Sequence, residues 1–191
     1  MLKRLFDFTF SLLLILLFFW LLILVWLIVM LNTRSNGIFL QKRVGKFGKF
    51  FTIFKFRTIT FLSDNTEPHV NKISAFLRKS KLDELPQIVN VLIGNMSFVG
   101  PRPDIPGYYD TLSGDDRKIL KMKPGITGPA SLKYSNEEKL LSSQQNPQKY
   151  NDEVIFPDKV KINLEYQKKQ SLFLDLKIIF YTILLKKDIK F

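Results

Sequence analysis

Two adjacent carboxylates and a set of cations crowd one short stretch of this chain. Lys79–Pro103 reads KSKLDELPQIVNVLIGNMSFVGPRP, with Asp83 and Glu84 near its start and Arg102 inside a Gly100-Pro101-Arg102-Pro103 turn. Arg78 stands five residues before Asp83. Guanidinium groups grip phosphate oxygens in pairs, and carboxylates beside them suit a phosphate site that shares a divalent metal. An Asp-Glu pair alone usually means a helix cap followed by a first-turn charge. Flanking arginines and a rigid turn are what give the pair chemical interest.

The elements that must hold these groups can be read from the hydrophobic pattern. Leu85, Ile88, Val89 and Leu92 line one face of a 3.6-period helix. That pattern predicts a helix with Asp83 as its N-cap, Pro86 in its first turn, and Gly94-Asn95 as its stop. The acidic pair would then sit at a helix N-terminus, where free N–H groups and the macrodipole favour negative charge and phosphate.

Phe8–Leu31 carries no charge. As a helix it would be about 36 Å long, enough to cross a hydrocarbon core of roughly 30 Å. On length alone it reads as a spanning anchor. The basic residues after it, Arg34, Lys42, Arg43, Lys46 and Lys49, place the remainder of the chain in the cytoplasm. Ile38–Gln41 and Phe50–Phe56 read as strands of a hairpin with a Gly45/Gly48 loop, carrying Lys55 and Arg57 at or just past its end. Ser63–Asn71 is a polar loop holding the only histidine, His69. Helices are expected over Lys72–Lys79, about Asp115–Met122, Pro157–Gln170 and Ser171–Leu185, the last succeeded by Lys186, Lys187 and Lys190. With its apolar residues on more than one face, the last helix suits partial burial in a bilayer surface. Pro124-Gly125-Ile126-Thr127-Gly128-Pro129 is a second rigid turn whose amides could line a phosphate. Ser131–Asp152 is polar and of mixed charge.

Across the chain, 29 basic residues face 17 acidic ones, a formal charge of +12. This balance suits anionic lipid, phosphorylated substrates or nucleic acid, and charge does not choose among them. There is no cysteine, so disulfide and thiol chemistry are excluded.

Several linked motifs resemble one family. KLDELPQIVNVLIGNMSFVGPRP, the PGITG at Pro124–Gly128, QKRVGKFGKFFTIFKFRTI at Gln41–Ile59 and the opening Lys3-Arg4-Leu5-Phe6-Asp7 are similar, in order, to the motifs of the bacterial sugar transferases. These are small monotopic polyprenyl-phosphate phosphoglycosyltransferases, and the resemblance runs nearly end to end. It implies an α/β fold, mostly helical and irregular. Residues 1–31 would form a membrane-inserted, re-entrant helix, and 32–191 a small cytoplasmic catalytic domain with amphipathic interfacial helices. In the family a Ser-Pro pair makes the re-entrant break; here Phe19-Trp20 take those positions, and no proline lies between Met1 and Gly37. Many relatives also carry a Gly-Arg-Asn run where Ser131–Asp152 begins.

The resemblance implies an activity as well: transfer of a sugar 1-phosphate from a UDP-sugar to undecaprenyl phosphate, with release of UMP, at the cytoplasmic face of the bacterial inner membrane. That step would open the assembly of a capsule, O-antigen, exopolysaccharide or glycoprotein glycan. Asp83 would be the nucleophile and Glu84 its catalytic partner, both serving Mg²⁺. Arg78, Arg102, Lys55, Arg57 and Thr127 would bind substrate. The implied partners are the two substrates and the lipid bilayer, with no nucleic acid and room for a homodimer. The competing expectation is a membrane-tethered basic module that binds anionic lipid or nucleic acid without catalysis. It accounts for the anchor and the charge, and leaves the acidic pair unexplained.

Overall fold

The computed structural model describes residues 1–61 and 68–184. Lys186, Lys187 and Lys190, and the first part of the expected Ser63–Asn71 loop, lie outside the described residues. The elements run α1 (Leu2–Thr33), β1 (Ile38–Val44), β2 (Phe50–Phe56), β3 (Thr60–Phe61), β4 (Pro68–His69), α2 (Lys72–Lys79), α3 (Gln87–Ile93), β5 (Ser97–Val99) and β6 (Gly125–Thr127). Then come five helices: α4 (Pro129–Lys133), α5 (Glu137–Ser142), α6 (Pro147–Tyr150), α7 (Phe156–Lys169) and α8 (Leu172–Ile183). The fold is thus mostly helical, with three two-stranded sheets among the described residues, β1-β2, β3-β4 and β5-β6.

Two compact units divide the chain. One takes in 5–42 and 52–94. Its core is Val25 and Val29 of α1, Phe56 of β2 and Leu77 of α2, flanked by Leu21, Leu22, Trp26, Ile38, Leu82 and Leu85. The α1 members recur at i, i+1, i+4, i+5 and i+8, one stripe of a helix. The rest of α1 keeps its apolar side chains exposed, Leu13, Leu16, Leu17, Phe19 and Trp20 among them. Among the described residues it is the helix long and apolar enough to cross a membrane. It is not continuous: at Phe18 the backbone leaves helical geometry (φ −111°, ψ 15°) and the helix kinks. Asn71 caps α2, accepting from the Ser74 amide at 2.9 Å, and its side chain donates to Asn32 Oδ1 at 2.8 Å.

The helix predicted to start at Asp83 starts later. Leu82–Glu84 form a 3-10 turn, Pro86 is the N-cap, and α3 is seven residues long. Pro86 has no N–H to give to an i−4 carbonyl, so the stretch ahead closes instead through i,i+3 bonds: Glu84 to Lys81, Leu85 to Leu82. Asp83 is therefore a turn residue and not a cap. Gly94 does end the helix, in the left-handed region at φ 92°.

The second unit comprises 1–4, 43–51 and 95 onward. β5 and β6 pair in parallel, Ser97 opposite Gly125 and Val99 opposite Thr127. Beyond the strands, Gly100 donates to the Thr127 carbonyl and Gly125 to that of Pro101, each within 2.9 Å. A Cβ on Gly125 would fall on the Gly100 nitrogen, and one on Gly128 would fall on the Gly100 carbonyl oxygen. The two Pro-Gly turns read from the sequence are thus one structure, crossing where no side chain fits. The crossover between the strands holds 3-10 turns at Tyr109–Thr111 and Asp116–Lys121. The second replaces the α-helix expected over 115–122. It lies between Gly114 (φ 56°) and Pro124, and its i,i+3 bonds, such as Lys118 to Asp115, fit that short span.

α7 and α8 keep the predicted bounds to within one or two residues and complete this unit. Tyr166 and Asn163 of α7 and Asp175 and Ile178 of α8 are almost fully buried. Asp175 accepts from the Tyr166 hydroxyl, and Lys3 Nζ reaches Asp175 Oδ2 at 2.5 Å and the Val99 carbonyl at 3.0 Å. The first turn of the membrane-type helix is therefore bonded to residues from the far end of the chain.

Candidate active site

Four of the residues named from the sequence meet in the first unit. Lys55, on β2, donates to Glu84 Oε1 at 3.0 Å, and both side chains are largely buried, 17% and 11% exposed. Asp83 is next to them, and its Oδ1 is buried with no hydrogen-bond partner among the described residues. Lys81, in the left-handed region at φ 59°, turns the chain sharply between α2 and the 3-10 turn. That reversal leaves the Arg78, Lys81 and Lys55 charges acting on Asp83 together. Burial first, and the Glu84 charge second, push the Asp83 carboxyl above its ordinary range; the three cations oppose them.

Arg57 serves the frame of this unit. Its amide bonds the Gly37 carbonyl at 2.9 Å and its guanidinium the Ile38 carbonyl at 3.3 Å, while Nε is buried without a partner. Arg102 and Thr127 belong to the other unit. Arg102 is exposed; Thr127 is buried, its hydroxyl 2.7 Å from that of Thr182 on α8.

Asn90 is a positioning residue that the sequence reading passes over. It is fully buried, its amide donating to the Thr52 carbonyl at 2.7 Å and accepting from the Phe54 N–H at 3.0 Å. One side chain thus satisfies β2 and pins α3 to it, which sets Lys55 against the turn that carries Glu84. A single Asn between the apolar positions Ile88 and Val91 is the available signal. Asn90→Ala is expected to leave both strand groups unpaired, cost about 2–3 kcal/mol of stability, and lower the thermal midpoint measured on protein in nanodiscs.

Two carboxylates, one of them with an orphaned oxygen, could hold a hard divalent cation. Among the described residues no group of three or more His, Cys, Asp or Glu side chains gathers, so there is no all-protein cage. Mg²⁺ is commonly held by one or two carboxylates and completed by substrate phosphates and water. Asp83, through Oδ1, and Glu84 supply that donor set.

Comparison with known proteins agrees with the motifs. The family model described as "Bacterial sugar transferase" matches residues 1–186. The undecaprenyl-phosphate glucose phosphotransferase of Komagataeibacter xylinus is 37% identical over 95% of this chain, which covers 35% of that protein. The UDP-glucose:undecaprenyl-phosphate glucose-1-phosphate transferase of Escherichia coli (strain K12) is 34% identical over 96% of this chain and 39% of its own length. An uncharacterized sugar transferase of Bacillus subtilis (strain 168), EpsL, is 34% identical, with 95% of this chain and 85% of the relative covered. The chain thus spans little more than a third of the first two relatives and most of the third. A match over nearly all its residues makes the chain a member of the bacterial sugar transferase family.

Proposed function

We propose that this chain transfers a sugar 1-phosphate from a UDP-sugar to a polyprenyl phosphate such as undecaprenyl phosphate, with Asp83 as nucleophile. The observation that carries this reading is the buried, unpartnered Oδ1 of Asp83 beside Glu84 and under the charges of Lys55, Lys81 and Arg78. A structural cap would have its oxygens bonded to backbone; this one is held ready. The relatives' names supply the substrate class, and both substrates are polyanions that suit a cationic surround. A non-catalytic basic module has no use for a desolvated carboxylate among its cations.

An Asp83 oxygen attacks the phosphorus that bears the sugar, the bond from that phosphorus to the UMP oxygen breaks, and UMP departs. The lipid phosphate oxygen then attacks the same phosphorus, the acyl-phosphate bond breaks, and Asp83 is regenerated as a carboxylate. Arg78 and Lys55 stabilise the phosphoryl oxygens, and Lys55 also holds Glu84 in place. Asp83 and Glu84 would hold Mg²⁺, which would supply charge neutralisation for the diphosphate. Arg57, Arg102 and Thr127 keep their substrate-binding roles as part of the proposal, on the resemblance of their motifs. UDP-sugar without acceptor should release UMP in a burst of about one per active site. EDTA should abolish the burst and added MgCl₂ restore it. UMP release that needs both substrates at once, with no trapped adduct, would favour direct transfer and leave Asp83 a metal ligand.

The same reading places α1 in the bilayer as a re-entrant helix with the rest of the chain on the cytoplasmic face. Two features support it. The kink at Phe18 leaves arms of about 24 and 22 Å, each shorter than a hydrocarbon core of roughly 30 Å. Lys3, at the start of the first arm, is bonded to Asp175 and Val99, which come after α1 in the chain. A single crossing would put Lys3 on the opposite face from both. Because the chain has no cysteine, Leu2→Cys gives a lone reporter. It should resist a membrane-impermeant thiol reagent outside intact cells and react once they are permeabilised. Labelling from outside would establish a spanning helix.

A further inference from the structure

A cavity in the unit that holds 95 onward lies outside this chemistry. Its volume is about 290 Å³, at the small end of ligand pockets, roughly 300–1,000 Å³. Its lining includes Asp104, Ile105 and Tyr108, just past the Gly-Pro-Arg-Pro turn, together with Glu137, Leu141 and Gln148. The last three come from the polar, mixed-charge segment Ser131–Asp152.

The lining says what it suits. Lys159 holds both oxygens of Glu137, at 2.6 and 2.7 Å, so the cation is internally neutralised. Asp104 adds a carboxylate that burial pushes above its ordinary range. Among the lining residues a phosphate or carboxylate ligand would meet two acidic side chains, Asp104 and Glu137, and one cation, Lys159, already paired. A purely apolar ligand would strand the polar groups. The Tyr108 hydroxyl donates to Asp152 at 3.0 Å and accepts from Gln148 at 2.8 Å and Asn151 at 3.2 Å, so the ring is fixed at its polar end. Phe156 packs against that ring edge to face, at 5.0 Å between centroids. The result is a rigid aromatic surface beside carboxylate and amide oxygen acceptors. Such a mixture matches a ring with apolar C–H faces and a rim of hydroxyls.

We propose that this cavity binds a neutral pyranose ring, gripped at its hydroxyls by Asp104, Glu137 and Gln148 and packed on Tyr108. Two sources supply such a ring: the sugar of the nucleotide donor, or a separate saccharide. The first rests on the proposed transferase activity and makes Ser131–Asp152 the segment that selects the sugar. The second does not depend on that activity.

The test uses the full chain in nanodiscs. Saturation-transfer NMR with methyl glucopyranoside and methyl galactopyranoside should show ring-proton contacts with wild type. Those contacts should fall at least tenfold in Glu137→Gln and in Leu141→Trp, the second filling the cavity without removing a polar group. Circular dichroism checks that both variants are folded. If the donor's sugar is the occupant, Leu141→Trp also lowers kcat/KM for the preferred UDP-sugar at least tenfold, while inhibition by UMP is unchanged. If a separate saccharide is the occupant, donor kinetics stay at wild-type values while the NMR contacts are still lost. Wild type that shows no pyranoside contact, together with unchanged donor kinetics in Leu141→Trp, overturns the proposal. So does displacement of the pyranosides by inorganic phosphate. Wild type that turns over no UDP-sugar yet binds pyranosides removes the transferase reading and leaves this site standing.

Discussion

Asp83→Asn protein should fold, embed in membranes like wild type, and release no UMP. The substitution keeps shape and volume within a turn whose backbone bonds do not involve the side chain. It removes the anionic oxygen that attacks phosphorus. Turnover should fall by more than about a thousandfold, which is ~4 kcal/mol of barrier. No sugar-phosphate adduct should form on the peptide containing Asp83. Comparison with Glu84→Gln separates the two carboxylates: an aspartyl adduct that still forms there, but discharges slowly to polyprenyl phosphate, assigns Glu84 to the second step. Asp83→Asn turnover within about tenfold of wild type, ~1.4 kcal/mol, would remove Asp83 from the nucleophile's place.

The second large effect should come from the opposite end of the sequence. Asp175→Leu removes the buried acceptor of the Tyr166 hydroxyl and the countercharge of the half-buried Lys3 ammonium, Asp175 being only 1% exposed. Breaking one side of such a pair costs about 3–5 kcal/mol. For a chain of this size each kcal/mol moves the melting midpoint by about 2–4 °C. A fall of roughly 10 °C or more is expected in nanodiscs. Lys3→Met combined with Asp175→Leu should regain part of it, because an apolar pair of similar volume removes the stranded charge. An unchanged midpoint in the single variant would show that the pair contributes nothing.

The local elements can be read from the chain because their signals are local. α2 has the bounds its residues suggest, and α7 and α8 nearly so. The hairpin strands show in their run of aromatic and β-branched residues. One proline misleads at the carboxylate turn: Pro86 is tolerated in a first turn, so the apolar spacing extends the helix back to Asp83, where the backbone instead makes a tight 3-10 turn. The kink at Phe18 has no local cause, since neither Pro, Gly nor Ser stands there. Only the family resemblance points near it, to Phe19-Trp20. In the site, Lys55 is legible through its motif; its pairing with Glu84 depends on Asn90 joining α3 to β2, a bond between segments more than thirty residues apart. Spacing has no means to show such a bond.

Lys3 and Asp175 are 172 positions apart. Ribosomes add about 5–20 residues per second, so the carboxylate is made roughly ten to thirty seconds after α1 has been exposed to the membrane insertion machinery. Through that interval the segment is a hydrophobic stretch long enough to cross, with its terminal ammonium lacking its countercharge. If α1 re-enters the bilayer as proposed, that course is completed only once α8 has been made. A nascent chain arrested before α8 should leave its N-terminus free to translocate. Release of α8 should draw it back. Reaching the proposed topology would then depend on how long the first helix stays uncommitted.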